Sequence, residues 1–224
     1  MNMDGVKAVL FDSGRTLNVP RTGHWFITPN FLNIIGNSQF TYTEEQLNEA
    51  MEKACEHISK ILLVESEEHE FSMFKEFYEI VLKEINYPNI SSEVIELLAK
   101  DNVYNDEKFL FFDDVESSLI GLRKKYLLGV VSDTWPSLER VFINKKLKQY
   151  FSTFVMSSIY GSYKAEKILF KIATKPQEAI FIDDSESNLD AAKEFGMIPI
   201  LIDRYDNRDL KSKYPIIRSL NELL

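Results

Sequence analysis

Asp12 closes the apolar run Ala8-Val9-Leu10-Phe11, and Ser132 closes Leu128-Gly129-Val130-Val131. Lys164 follows Gly161, and the pair Asp183-Asp184 closes Ala179-Ile180-Phe181-Ile182. Read as chemistry, these are a carboxylate nucleophile, a hydroxyl donor, a fixed cation and two metal-seeking carboxylates. A carboxylate can attack an electrophilic centre and carry the transferred group covalently, which divides one displacement into two easier steps. A hydroxyl and an ammonium suit anionic oxygens, and paired carboxylates suit a hard divalent cation. Singly, an Asp at a strand end is more often a turn former or a cap, and a lone Ser or Lys is more often structural or solvated. Their order and placement assign them to one site.

Placing these groups together requires an architecture that gathers the ends of distant strands. Short apolar runs alternating with helical patterns predict a parallel α/β sheet, whose chemistry lies in the crevice beyond the carboxyl ends of its strands. Between Asp12 and Ser132 lies far more chain than a strand-helix-strand crossover needs, so a segment is inserted there. Its periodicity is helical. Leu47, Met51, Ala54, Ile58, Ile61 and Leu62 recur at three-to-four spacing over 44–64, and Phe71, Phe74, Phe77, Tyr78, Val81 and Leu82 do so over 70–85. A third helix is expected over 93–98 after Ser91 and Ser92, either of which can cap it, with Tyr87-Pro88-Asn89 breaking the chain before it.

The expected division is a core domain of 1–17 with 109–224 and a helical cap domain of 18–108. Within the core, helices are expected over 115–125, from Pro136 toward Gln149, over 166–173, and through Leu189, Ala192 and Phe195 to Gly196. Further strands are expected at 154–156, 179–182 and 198–202. The sum is a Rossmann-like sheet of about five parallel strands.

At 224 residues, the chain is long enough for one sizeable core and a smaller subdomain. Its net charge of −9 argues against a nucleic-acid backbone as partner, because that binding relies on clustered Lys and Arg. Cys55 is the single cysteine, so no intrachain disulfide is possible and a reducing compartment is expected. The first strand begins almost at once and no apolar run approaches a membrane span, so the expected location is the cytoplasm, without a membrane partner.

The stretches Val9-Leu10-Phe11-Asp12-Ser13-Gly14-Arg15-Thr16-Leu17, Gly129-Val130-Val131-Ser132-Asp133-Thr134, Gly161-Ser162-Tyr163-Lys164-Ala165-Glu166 and Ile182-Asp183-Asp184-Ser185, the last running into Asn188, Ala191-Ala192 and Gly196, stand in a fixed order. In that order they resemble the motifs of the haloacid-dehalogenase-like (HAD) hydrolase superfamily, helical-cap phosphatase-like branch, over nearly the whole chain. The resemblance implies an α/β fold with a Rossmann-like parallel sheet core and an inserted helical cap. It implies that Asp12 forms an aspartyl-phosphate while Ser132 and Lys164 hold the phosphoryl oxygens. It also implies Mg²⁺ ligated by Asp12, the main-chain carbonyl of Gly14 and Asp184, with Asp183 reached through water. Backbone N–H groups of Ser13 and Gly14, with Asp133 nearby, complete the expected substrate contacts. The implied substrate is a small phosphorylated metabolite.

Three positions depart from the pattern. Asp133 stands where the family often has Asn, and Ala165 replaces a frequent proline. Gly14 stands where family phosphatases carry a second Asp, the group that protonates the leaving oxygen and later activates water. Proton transfer of that kind is worth roughly 10²–10⁴-fold. Asp133, His24 and Arg15 are candidates for a substitute or a substrate contact. Two alternatives stand beside the phosphatase: a 2-haloacid dehalogenase, whose branch usually lacks the carboxylate pair, and a non-catalytic binding protein that keeps the phosphate and metal site.

The remaining polar and aromatic residues have ordinary readings. Asp113-Asp114 lies where the chain leaves the insert and is expected to be structural; His57 and His69 lack metal-ligand spacing. Trp25, Trp135 and Tyr163 are packing residues that could also line a pocket.

Overall fold

The computed structural model describes residues 5–36, 40–174, 179–205 and 211–224. In chain order the elements are β1 (Ala8–Phe11), β2 (Asn18–Pro20), α1 (Phe31–Ile35), α2 (Glu44–Ile58), α3 (Glu67–Glu84), α4 (Ser92–Tyr104), β3 (Phe109–Phe111), α5 (Val115–Leu122) and β4 (Leu127–Ser132). There follow α6 (Ser137–Asn144), β5 (Thr153–Met156), α7 (Ser157–Tyr160), α8 (Ile168–Ala173), β6 (Ala179–Asp183), α9 (Glu186–Glu194), β7 (Ile198–Ile202) and β8 (Ile216–Ile217). Two compact units emerge, one of Met1–Val19 with Phe111–Leu224 and the other of Pro20–Leu110. Among the described residues no helix is long and apolar enough to cross a membrane.

The first unit is a six-stranded sheet in the order β5-β4-β1-β6-β7-β8, parallel throughout, with helices in its connections. Residues 8–11 and 179–183 are buried along their whole length, as continuous apolar runs covered on both faces must be. Leu10, Val131, Val155, Phe170, Phe181 and Leu189 share one core cluster. Gly129 belongs where β4 passes β1, since a Cβ there would meet Leu10 Cδ2 at 2.6 Å.

The strand order places β1 between β4 and β6. The carboxyl ends of those three strands therefore carry Asp12, Ser132 and Asp183 close together: Phe11 pairs with Val130, two residues before Ser132, and with Ile182, the residue just before Asp183. The sheet exceeds the expected five strands through β8, whose two residues are too few to show a period. The expected helix 166–173 is broken: a 3₁₀ turn covers Lys164–Glu166, Lys167 adopts a left-handed φ of 67°, and α8 starts at Ile168.

The second unit is helical. Helix α2 opens with a capping box in which Thr43 Oγ1 accepts from Gln46 N and Gln46 Oε1 accepts from Thr43 N. It ends at Ile58, short of the expected 64. Ser66 caps α3, and Ser91 caps α4, which runs to Tyr104 and well past the expected 98. Helix α1 lies outside the expected set because its five residues carry too little periodicity. Phe74, Phe77 and Tyr78 form the aromatic core with Phe26 and Phe31, while Phe71 is only half-buried. Three-residue strands β2 and β3, which pair where the chain passes between the units, were too short to be read from the pattern.

Candidate active site

The main-chain N–H of Asp12 donates to Ile182 O at 2.9 Å, which extends the β1–β6 ladder by one bond and fixes the backbone of Asp12. After it the chain turns tightly: Leu17 N and Asn18 N both donate to Ser13 O, at 2.8 and 3.1 Å. Asn18 Nδ2 then donates to Ser13 Oγ at 2.7 Å. Arg15, at the tip, takes a left-handed φ of 57° and donates its N–H to Asn18 O at 2.6 Å. Gly14 is not among the residues of positive φ, so nothing in its backbone demands glycine.

A buried brace holds this turn. The Arg204 guanidinium donates through Nε and Nη2 to Thr16 O at 2.9 and 2.7 Å and through Nη1 to Asp114 Oδ2 at 2.7 Å, lying 4.3 Å over the Phe112 ring. Ser219 Oγ and Leu220 N also donate to Asp114 Oδ2. Burial alone would raise the Asp114 pKa, but these donors, Arg204 foremost, hold it below the ordinary carboxylate value. Asp114 is thus structural, as expected, and Arg204 is a residue that sequence reasoning missed. Nothing in a lone Arg beyond β7 marks a partner so far along the chain.

Lys164 is the hub. It is 2 % exposed, and its Nζ donates to Asp12 Oδ1 at 2.6 Å and to Asp183 Oδ2 at 2.7 Å. Gly161, left-handed at the end of α7, turns the chain toward it, and Asp133 Oδ1 accepts the Lys164 main-chain N–H at 3.0 Å. Burial alone would lower the Lys164 pKa, but the charges of Asp12, Asp183 and Asp133 overcome it and raise it, so the ammonium is permanent. Ser132 Oγ donates to the same Asp12 Oδ1 at 3.0 Å. With Oδ1 taken twice, Oδ2 is the Asp12 oxygen left open for attack among the described residues.

The two carboxylates of the pair differ. Asp183 is fully buried and saturated: Oδ2 accepts Lys164 and Oδ1 accepts Ser185 N at 2.8 Å, with Asn188 Nδ2 bridging both oxygens at 3.2 and 3.1 Å. Its burial pushes the carboxyl up to about 7 against the pull of Lys164, and the neighbouring Asp12 charge adds to the rise. Asp184 is half-buried, and its nearest cation is Arg15, with Nη1 3.9 Å from Oδ2. Burial, then the Asp12 charge, raises its pKa as well. Asp12, Asp183 and Asp184 each offer an oxygen, all within 4.8 Å of one another. An all-oxygen, all-carboxylate donor set fits a hard divalent cation.

Asp12, Ser132, Lys164, Asp183 and Asp184 therefore meet at one place, as the sequence predicts. Asp133 stays in contact with solvent at the edge, where it fixes the Lys164 backbone; packing around it raises its pKa, against the pull of Lys164. His24, in the helical unit, organises its own turn, with Nδ1 accepting from Phe26 N and Ile27 N at 3.2 and 3.1 Å. Trp25 packs against Phe109, and His57 pairs with Glu76 at 2.7 Å.

A parallel sheet in this order with a buried carboxylate, lysine and serine gathered at the ends of its central strands defines a class, and sequence comparison places the chain in it. The model of the haloacid dehalogenase-like hydrolase family matches residues 26–202, and the chain belongs to that family. It is a hydrolase of that class. The matched segment includes Ser132, Lys164, Asp183 and Asp184 and begins after the Asp12 turn. Among solved structures, the chain is similar to the putative HAD-hydrolase YfnB from Bacillus subtilis bound to magnesium, at 15% identity and TM-score 0.65, over 97% of this chain and 96% of that one. It is similar to 2-haloacid dehalogenase from Pseudomonas syringae pv. Tomato DC3000 at 18% identity and TM-score 0.63, and to a HAD phosphatase from Thermococcus onnurineus at 20% and 0.56. Each of these two alignments also covers 97% of this chain and 96% of the other. At these identities the likeness establishes the fold.

Proposed function

We propose that the protein is a Mg²⁺-dependent phosphatase of a small phosphorylated metabolite, working through an aspartyl-phosphate on Asp12. The observation that carries this reading is Asp184. A second carboxylate beside the nucleophile, left uncommitted while Asp183 is saturated by Lys164, Ser185 and Asn188, makes sense where a cation must sit between anions. Displacing halide from a neutral carbon sets no such requirement, and there the extra negative charge would be a cost without a return.

Asp12 and Asp184, with the main-chain carbonyl of Gly14, would hold the ion, which supplies charge neutralisation between nucleophile and phosphoryl group when bound. Asp12 Oδ2 attacks phosphorus, the ester P–O bond breaks, and the alcohol leaves with its proton drawn from water. Ser132 and Lys164 donate to the phosphoryl oxygens as charge moves onto them, and the Ser13 and Gly14 N–H groups would add donors. Water then attacks phosphorus, freeing phosphate and regenerating the Asp12 carboxylate. Gly14 supplies no acid or base, so departure is fastest for alcohols that need little protonation.

The test is a panel of phosphate esters and 2-haloacids, with and without Mg²⁺, scored for released phosphate and halide. Phosphate release that needs Mg²⁺ and vanishes in Asp12→Asn is the expected result. Metal-independent halide release would replace this reading with the dehalogenase, and no release of either would leave a binding protein.

A further inference from the structure

Arg15 is an exposed arginine held in a conformation that L-residues avoid. Its φ of 57° lies in the left-handed region, at the tip of the turn that carries the nucleophile. Gly14, one position earlier, lies outside that region, so the chain puts its glycine where none is required and a long cationic side chain where glycine would relax the backbone. Strained non-glycine residues of this kind cluster at functional sites, and of the four among the described residues, Arg15, Asn86, Lys146 and Lys167, Arg15 is the one on the turn that follows Asp12.

The direction of the side chain says what the use is. The guanidinium approaches Asp184 to 3.9 Å, beyond hydrogen-bond reach, and among the described residues it forms no hydrogen bond; its side chain is 57% exposed. Lys164, the other cation facing the acidic cluster, already spends two of its three donors on Asp12 and Asp183. Arg15 is therefore the cation with donors to spare, and it sits on the outer side of a cluster whose oxygens span 4.8 Å. With Asp184 3.9 Å from Arg15 and within 4.8 Å of an Asp12 oxygen, Arg15 lies no farther from Asp12 than a short organic anion can reach.

We infer that Arg15 forms a second anion subsite, binding a carboxylate carried by the substrate a few bonds from its reacting phosphoryl group. A planar guanidinium pairs with a carboxylate through two parallel N–H donors, which gives direction as well as attraction. The contact also gives the site a reason to prefer one anionic ester over the many neutral-tailed ones, in a chain whose net charge of −9 favours no anion from a distance. This inference rests on the phosphoryl-transfer reading for the identity of the reacting group.

The test measures binding and turnover separately. In the presence of Mg²⁺, calorimetry compares 3-phosphonopropionate with propylphosphonate, two non-hydrolysable probes that differ in the carboxylate. The wild-type protein should favour the former by about tenfold. Arg15→Gly, which removes the side chain while relaxing the left-handed backbone, should bring the ratio near one, and Arg15→Lys should keep part of it. Equal affinities in the wild type, or a ratio that survives Arg15→Gly, would overturn the subsite. Phosphate release from 2-carboxyethyl phosphate and propyl phosphate is followed in parallel. Release without a carboxylate preference retires the subsite and keeps the proposed reaction. An Arg15-dependent binding preference with no release from either ester keeps the subsite and retires the reaction.

Discussion

Lys164→Met removes an ammonium buried between two carboxylates while keeping most of its apolar stem. Two charge-assisted hydrogen bonds disappear, those of 2.6 and 2.7 Å to Asp12 and Asp183, each worth about 1.5–3 kcal/mol. Breaking a buried pair by deleting one partner costs about 3–5 kcal/mol in general, so the two routes to the magnitude agree. The loss must depend on pH. Asp183 is already pushed up to about 7 in the folded protein, from 3.8. A folded value above the unfolded one means the native state holds the proton more tightly. That contribution to stability is complete below about pH 4 and is lost as pH rises through 7. Without Lys164 the folded value climbs further, so the penalty is largest above pH 7 and shrinks in acid, where Asp183 is neutral. At pH 8 the variant should lose about 3 kcal/mol or more, a fall in Tm of roughly 6–12 °C for a chain of this size, and at pH 5 at least about 1 kcal/mol less. Urea unfolding of Trp25→Phe protein checks this, since Trp135 then reports on the unit that contains Lys164. A loss under about 1 kcal/mol at pH 8, or one equal at pH 5 and 8, would refute the view of Lys164 as the charge that holds the site together.

Three further outcomes follow from the geometry. Gly14→Asp has an ordinary backbone to occupy and should raise turnover of alkyl phosphates toward the roughly 10²-fold or greater gain of a general acid, with less effect on p-nitrophenyl phosphate; no change in steady-state rate would mean another group already moves the proton. Asp114, whose folded pKa is lowered, contributes stability that is present above its ordinary 3.8 and is lost as pH falls through the folded value. Asp114→Asn should therefore destabilise at pH 7 by about 1–3 kcal/mol and flatten the acid limb of a Tm-against-pH curve. Gly129→Ala places a methyl 2.6 Å from Leu10 Cδ2 in the middle of the sheet and should cost about 1–3 kcal/mol by denaturant titration.

The sequence revealed the parts of this protein that obey a local rule. Asp12, Ser132 and Asp183 could be read because each ends an apolar run, and a parallel sheet brings such ends together whatever lies between them. Ser91, one of the two serines expected to cap the third helix, does so, whereas Ser66 caps α3, which begins three residues ahead of its expected start, and was not read. What escaped was either too short or too distant. Strands β2, β3 and β8 hold two or three residues each, below the length at which alternation can be seen. The bond from Asn18 to Ser13, the saturation of Asp183 by Asn188 and the brace from Arg204 to Thr16 O are side-chain choices made after the backbone is folded. Composition and spacing carry no trace of the 188 positions that separate Arg204 from its partner.

That brace also sets the order of events at birth. Strand β1 leaves the ribosome ahead of the helical unit, yet both of its neighbours in the sheet, β4 and β6, come after that whole unit. Until they are made, a fully apolar strand waits with two open edges, the condition in which nascent chains stick to one another or to a chaperone. Even a paired β1 leaves the turn after Asp12 without its brace until residue 204 has been added and has found Thr16. The helical unit is contiguous in sequence, while the turn after Asp12 waits for partners made well after that unit. The aggregation risk of a nascent chain therefore lies in the interval between β1 and β6.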